Sequence, residues 1–383
     1  MWRNIDLELC GSCHEGTNAP LPADMEVSGR HAPAPEQRVR LAGQQFVDVL
    51  RTIDCQAQRS ERTVPTLEER EIVASTFWHA AREFEMVDRQ VSDSKRVRCA
   101  AAARELLHPW LLRSDYWSRC YLKPHGYAGD FRTLECIYDL ERDACSDPTK
   151  PAVVNLLDSL YRTVHCVRAV WHRRRWYAQL VAKLLDKRPV GQPVRILDLA
   201  CGGSRYMRDV IANGADAGPV ELTFLDRDPA ALSFIRGWLP AHLRAGTQLI
   251  CGPVSDARKL VFDAQSKSFG GFDLVIATAL FDYLDLARAR HVLSEMTQLT
   301  RPGGLIAVSN LAPEDASRIV KDWLVNWPLI YRRVSALRDL VPAGHSVGFD
   351  RSPDGGLLHA LVSAPAASLP TLQPLPRPPA RSR

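Results

Sequence analysis

The 383 residues contain no run of about eighteen apolar residues, which excludes a helix that crosses a bilayer. No apolar segment opens the chain, so an export signal is not expected. The ten cysteines are scattered without even pairing, and disulfides are not expected either. A reduced cytoplasmic protein without integral membrane association fits these absences. No internal repeat is evident, and no G-x-G-x-x-G follows a strand, so a pyrophosphate-gripping dinucleotide site is disfavoured. What is present is a chain of 46% hydrophobic and 24% charged residues, able to bury a large core and long enough for about two domains. Its net charge of +5 is modest.

The most informative stretch is Val194 to Ser204, V-R-I-L-D-L-A-C-G-G-S, where an apolar strand runs into an acid and then a glycine turn. That order suits a ligand lying across the end of a strand, with Gly202 and Gly203 letting backbone approach it. An acid at Asp198 would repel phosphates and suits a ligand with a cationic amino-acid end. Asp198 to Ser204 resembles the first motif of class I S-adenosylmethionine-dependent methyltransferases, D-x-G-x-G-x-G, with Ala200 and Ser204 in place of the outer glycines. Neither tolerates positive φ as glycine does, so the shape of the turn is open.

The following segments agree. Val220 to Asp226 reads as a strand, then Asp228 as N-cap and Pro229 in the first turn of a helix. Asp226 follows Gly203 by 23 positions, close to the spacing of about 20 for an acid that accepts ribose hydroxyls. A third strand at Gln248 to Cys251 leads to Ser255, Asp256 and Ala257, where Asp256 is the candidate for an adenine amino group. The run from Phe272 is apolar enough for a strand buried on both faces. A fifth strand lies at Gly304 to Val308, and a hairpin joins Ser346–Asp350 to Leu357–Ser363 around P-D-G-G. Strands alternating with helices predict an α/β, Rossmann-like fold: a seven-stranded, mostly parallel sheet covered on both faces. The cofactor candidates are therefore Asp198, Ala200, Cys201, Gly202, Gly203, Asp226, Arg227, Ser255, Asp256, Ala257 and Thr278, with S-adenosylmethionine as cofactor and no metal.

Ahead of the sheet, residues 37–150 read as an added helical domain, with helices near Arg40–Ile53, Leu67–Val91 and Ser94–Leu112, and residues 151–363 as the catalytic domain. Residues 1–36 read as a flexible leader and 364–383 as an extended Pro/Arg-rich tail. In the leader, Cys10-Gly-Ser-Cys13-His14 matches a haem-attachment pattern, but no second ligand pair follows at zinc spacing, and a plain leader is the reading. Pro109 to Phe131 reads as a loop dense in aromatics, ordered by packing its rings over a cofactor mouth. Asp130 reads as the cap of the helix that begins at Phe131. Arg168 to Trp176, R-A-V-W-H-R-R-R-W, could be a nucleic-acid stripe, but is read as a helix with solvated arginines outward.

K-P-H-G-Y-A-G-D-F at Lys123 to Phe131, A-V-W-H-R-R-R from Ala169, A-L-F-D-Y-L-D at Ala279 to Asp285 and W-P-L-I-Y-R-R at Trp327 to Arg333 resemble PhcB-type methyltransferases. Those are the extracellular-factor proteins that make 3-hydroxypalmitic or 3-hydroxymyristic acid methyl ester. The resemblance covers roughly Pro109 to Ser363, with Asn326 where that family usually has an acid. It implies carboxyl methylation of a 3-hydroxy fatty acid, free or carrier-bound, to give a quorum-sensing signal, with no nucleic-acid partner. A carboxylate is ionised at neutral pH and needs no general base, so positioning and desolvation carry the work. Tyr127, Tyr283 and Tyr331 are candidate donors, and Arg332 or His125 candidate partners for the acid. Methylation of a phenol or amine with His125 or His291 as base, and a non-catalytic binding module, stay open at this point. An amine in a nucleic-acid base is disfavoured, since A-T-A-L-F-D-Y-L stands where N-P-P-Y is wanted.

Overall fold

The computed structural model describes residues 33–142, 146–187, 191–214, 219–264, 270–363 and 365. Cys10, Cys13 and His14 lie outside them, as do nearly all of the residues read as leader and tail. Seven helices come first: α1 (Pro35–Arg59), α2 (Leu67–Asp88), α3 (Asp93–Leu111), α4 (Asp115–Leu122), α5 (Phe131–Leu140), α6 (Ala152–Arg162) and α7 (His165–Asp186). Helix α1 begins two residues inside the stretch read as leader. It turns Val39, Phe46, Leu50 and Ile53 to one side, the spacing of a helix with one apolar face. A capping box fixes the start of α2: Glu69 N donates to the Thr66 hydroxyl, and Thr66 N donates to the Glu69 carboxylate. The aromatic stretch from Pro109 is less of a loop than its composition suggested. Pro109 sits in the last turn of α3, and Asp115–Leu122 coils into α4, which buries Trp117 and Cys120 in the helical core. Leu112 to Ser114 turn between the two helices, and Lys123 to Asp130 is irregular, bent at Lys123, Gly126 and Gly129 with positive φ.

The sheet is built from β1 (Val194–Leu199), β2 (Val220–Asp226), β3 (Thr247–Cys251), β4 (Phe272–Ala277), β5 (Thr300–Leu311), β6 (Ser346–Arg351) and β7 (Leu357–Ser363), in the order β3-β2-β1-β4-β5-β7-β6. All pairings are parallel except those of the closing hairpin, where β7 runs antiparallel to both β5 and β6. Six further helices connect and flank the strands: α8 (Arg205–Ala212), α9 (Pro229–Trp238), α10 (Ala241–Arg244), α11 (Ala257–Ala264), α12 (Leu286–Leu299) and α13 (Val334–Arg338). Strand β4 is buried on both faces, with Leu274 and Ile276 in one core and Val275 and Ala277 in the other.

Two features position the site. Strand β1 has β2 on one side and β4 on the other, so the chain winds in opposite directions from it and leaves a crevice at its C-terminal end. The connection after β5 then leaves the sheet to join the helices. Ile319, Val320 and Trp323 lie in the helical core, with Trp323 stacked on Phe84 at 5.7 Å and its indole N–H donating to Asp88. Helices and sheet thereby share side chains and close over the crevice from one side. No helix among the described residues is long and apolar enough to cross a membrane.

Candidate active site

A hollow of about 750 Å³ lies at the C-terminal ends of β1, β2 and β4, within the range of 300–1,000 Å³ common for small-molecule sites. Its floor is the turn after β1. Residues 200, 202 and 204 all take left-handed backbone, with φ of 50°, 53° and 45°. The turn keeps the conformation that three glycines would adopt freely, although Ala200 and Ser204 carry a Cβ. Left-handed backbone costs an L-residue about 1–2 kcal/mol, so the surrounding contacts hold the turn in place. Ser204 Oγ donates to Asp198 Oδ2 at 2.6 Å, and Trp238 Nε1 donates to the Gly203 carbonyl at 3.2 Å. Gly203 cannot carry a side chain here, because a Cβ would stand 2.7 Å from Glu135 Oε1.

Asp226 closes the end of β2 and lines the hollow. Its Oδ2 accepts from Gly202 N at 2.8 Å and its Oδ1 from Asp228 N at 2.9 Å, which leaves lone pairs on both oxygens for a ligand. Burial raises its pKa, opposed by those two amides. Asp228 caps α9 through Ala230 N and also accepts from the Tyr127 hydroxyl at 3.2 Å. Burial, then the neighbouring Asp226 and Asp228, push the Tyr127 phenol up, so it stays a donor. The Arg227 guanidinium lies over the Tyr127 ring at 4.5 Å. The irregular segment Lys123–Asp130 thus reaches across to β2 and α9, with Asp130 capping α5 through Thr133 N.

Of the residues named from sequence, Ala200, Cys201, Gly202 and Gly203 line the hollow, as do Asp226, Arg227, Ser255 and Thr278, and Tyr127 and Tyr283 from the other wall. Six others lie elsewhere. Asp198 is 1% exposed and sits behind Ser204 rather than in the wall. Burial raises its carboxyl to about 7, and its Oδ1 has no hydrogen-bond partner, although the Tyr206 phenol stands beside it. Asp256 faces solvent with Ser255 Oγ donating to it, and Ala257 is packed into the sheet core. His125 turns to Asp228 at 3.7 Å and packs on Phe131, away from the hollow. Tyr331 lies beneath Arg318 and Lys321, with its hydroxyl buried and without a partner. The guanidinium of Arg332 is occupied: it donates to the carbonyls of Phe281 and Leu284 and to Asn310 Oδ1, which pins the loop after β4 to β5. It has no free face for a substrate carboxylate.

Composition gave no sign of several other wall residues. Glu135 of α5 brings a buried carboxylate against the glycine turn, paired with Arg205 of α8. Pro253 and Val254 stand beside Ser255, and Ala279, Leu280 and Leu284 follow Thr278. His291, named from the sequence as a possible base, comes from α12 and lines the Ser255 side, 3.4 Å from the Ser255 carbonyl. Tyr283 accepts from Trp327 Nε1 at 2.9 Å and closes against Gly129, where a Cβ would stand 2.4 Å from its hydroxyl. The arginine-rich stretch also departs from its reading. Trp171, His172, Arg173, Arg174 and Trp176 of α7 are all buried, and only Arg175 among its last three arginines is exposed.

Residues 196–304 match the family model of a methyltransferase domain. No curated protein matches the chain. Among solved structures, a possible exported protein from Bordetella parapertussis is 17% identical over 72% of this chain and 100% of its own, with a TM-score of 0.45. The glycopeptide N-methyltransferase MtfA complexed with S-adenosyl-L-methionine is 18% identical over 49% of this chain and 93% of its own, with a TM-score of 0.35. The N-methyltransferase NodS from Bradyrhizobium japonicum WM9, in complex with S-adenosyl-L-homocysteine, is 16% identical over 50% and 87%, with a TM-score of 0.33. Likenesses this distant carry no argument of their own. The matched segment runs from β1 into β5 and includes the turn, Asp226, Ser255 and Thr278.

The hollow fits S-adenosyl-L-methionine, the cofactor of such a domain. Asp226 offers acceptors for ribose hydroxyls at the end of β2, the left-handed turn offers backbone, and Val254 and Ser255 offer a wall for a base. Glu135 stands at the glycine turn but is paired with Arg205, and Asp198 lies behind Ser204 with one oxygen unpartnered, so its charge reaches the hollow only through the turn. When bound, the cofactor supplies an electrophilic methyl group.

Proposed function

On the premise of an S-adenosyl-L-methionine-dependent methyltransferase, we propose that the chain methylates the carboxylate of a 3-hydroxy fatty acid to give a methyl ester, a diffusible signal. The observation that carries this reading is a second cavity, walled chiefly by apolar side chains, that opens against the first. The two share Gly129, Leu134, Ala279 and Tyr283 as common wall. Such an arrangement suits an acceptor that is apolar over most of its length. The second cavity alone is narrow, about 60 Å³ against roughly 150 Å³ for a site that takes benzene. A chain of fourteen or sixteen carbons therefore needs the wider hollow as well.

In the reaction a carboxylate oxygen forms a bond to the methyl carbon, the carbon–sulfur bond breaks, and its electron pair goes to sulfur. Negative and positive charge cancel and no proton moves, so the protein needs no base. Its tasks are to exclude water and to hold the carboxylate in line. Leu280 and Leu284 keep the wall dry, and the Lys123–Asp130 segment with Tyr127 covers the opening. The test is incubation with isotopically labelled S-adenosylmethionine and 3-hydroxymyristic or 3-hydroxypalmitic acid, followed by mass spectrometry. A labelled methyl ester is expected; label only on other acceptors would replace this reading.

A further inference from the structure

Arg173 stands out among the charged groups of the molecule. It is 5% exposed, on α7, and lines the narrow apolar cavity. The surrounding wall is made of side chains such as Ile137, Val167, Leu311 and Val325. Two other charged groups reach the same space, and both are engaged. Lys321 is ion-paired with the buried Asp315, and Asp282 accepts the amide of Leu311 at 2.7 Å. Arg173 forms no ion pair among the described residues, and its Nε has no hydrogen-bond partner. The Tyr138 phenol is a neutral hydrogen-bonding neighbour of the guanidinium, and Asp282 lies near enough to be influenced by its charge. Its neighbours differ: Arg174 is bridged to Asp209 and Glu141, and Arg175 to Glu141.

A guanidinium taken out of water is costly unless an anion and hydrogen bonds replace the water it loses. Nothing in the wall supplies that anion at contact distance, and the cavity shares wall residues with the methyl-transfer hollow. We propose that Arg173 holds the anionic head of the acceptor, pairing with its carboxylate from the narrow cavity that shares Gly129, Leu134, Ala279 and Tyr283 with the hollow. This rests on the reading of an acidic acyl acceptor given above and names the residue that selects for its charge. Arg173 fits the chemistry of the carboxylate well, since two parallel N–H donors can hold one oxygen pair while a lone pair stays directed at the methyl carbon. The arginine also excludes neutral lipids such as fatty alcohols, which would leave it buried without a partner.

The experiment is calorimetric titration of 3-hydroxymyristate, and of the neutral 1,3-tetradecanediol, into the full chain with S-adenosylhomocysteine present. Wild type, Arg173→Met and Arg173→Lys are compared, with S-adenosylhomocysteine affinity as the check on folding. The acid should bind Arg173→Met about ten- to a hundredfold more weakly, the range expected for one charged hydrogen-bonded partner. Arg173→Lys should recover part of the loss, and KM for the acid should rise with the same order. The diol should bind wild type far more weakly than the acid. Equal affinity of wild type for acid and diol overturns the proposal, even if Arg173→Met fails to fold. So does a folded Arg173→Met that binds the acid like wild type; if it still forms ester, the functional reading stands without it. Acid binding that depends on Arg173 with no ester formed sinks the functional reading and leaves the anion site. Absence of any acid binding to wild type overturns both.

Discussion

The turn after β1 and the apolar cavity along α7 meet at one site but are built in opposite ways. Within eleven consecutive residues, Val194 to Ser204, lie a strand, an acid and three left-handed positions, contiguous in the chain. The cavity has no such segment: its walls come from α4, α5, α7, the loop after β4 and the excursion after β5. Binding of a common cofactor can be written into a contiguous motif. Selection of an acceptor depends on where distant helices happen to meet.

The largest effect should fall on the cofactor half. Asp226→Ala removes the acceptors we assign to the ribose hydroxyls and releases Gly202 N and Asp228 N. Each lost bond to a charged acceptor costs about 1.5–3 kcal/mol. S-adenosylhomocysteine affinity should fall by about two orders of magnitude, read by calorimetry, while a near-unchanged affinity would assign the ribose to another acid.

A smaller effect is expected from pH. Asp198 titrates at about 7 and Asp226 is also raised, in both cases because burial disfavours the carboxylate. A folded pKa above the unfolded one means that the stability Asp198 contributes is present at acid pH and is lost as pH rises through about 7, with Asp226 acting in the same direction. A cationic donor binds the ionised forms, so its affinity should rise from pH 5.5 to 8 and release protons. The gain in melting temperature from the donor should grow over the same interval. Affinity flat across that range would place neither acid near the positive charge.

The smallest effect tests the strain in the turn. Ala200→Gly relieves a left-handed residue and adds chain entropy to the unfolded state, for a net gain of about 1 kcal/mol or less. Thermal unfolding should show a rise of a few degrees at most, with donor affinity kept. A loss of stability would mean that the Ala200 methyl contributes packing the backbone cost does not outweigh.

Much of the cofactor side was legible: Gly202, Gly203 and Asp226 follow from the order of residue types and one spacing, because a strand end and a glycine turn need only their own neighbours. The acceptor side was not. Tyr331 and Arg332 carry suitable donors, but the guanidinium of Arg332 is taken by two carbonyls and a side-chain amide that lie far from it in sequence. Glu135 gave no signal, and Arg173, within a stretch that stood out, was read as solvated, since composition marks a helical glutamate or arginine as exposed unless the packing is known. His125 was drawn away from the hollow by Asp228, another long-range partner.

The sequence by itself determined the alternation of strands and helices, the closing hairpin, the glycine turn after β1 and the acid at the end of β2. These depend on hydrophobic period, turn chemistry and fixed offsets, all of which act over a few residues. The tertiary structure alone decided which charges lose their water: it buried Asp198 behind Ser204, tied Arg332 to backbone, and left Arg173 unpaired in an apolar wall. Desolvation is a property of a place in the fold, and no stretch of chain can set it for itself.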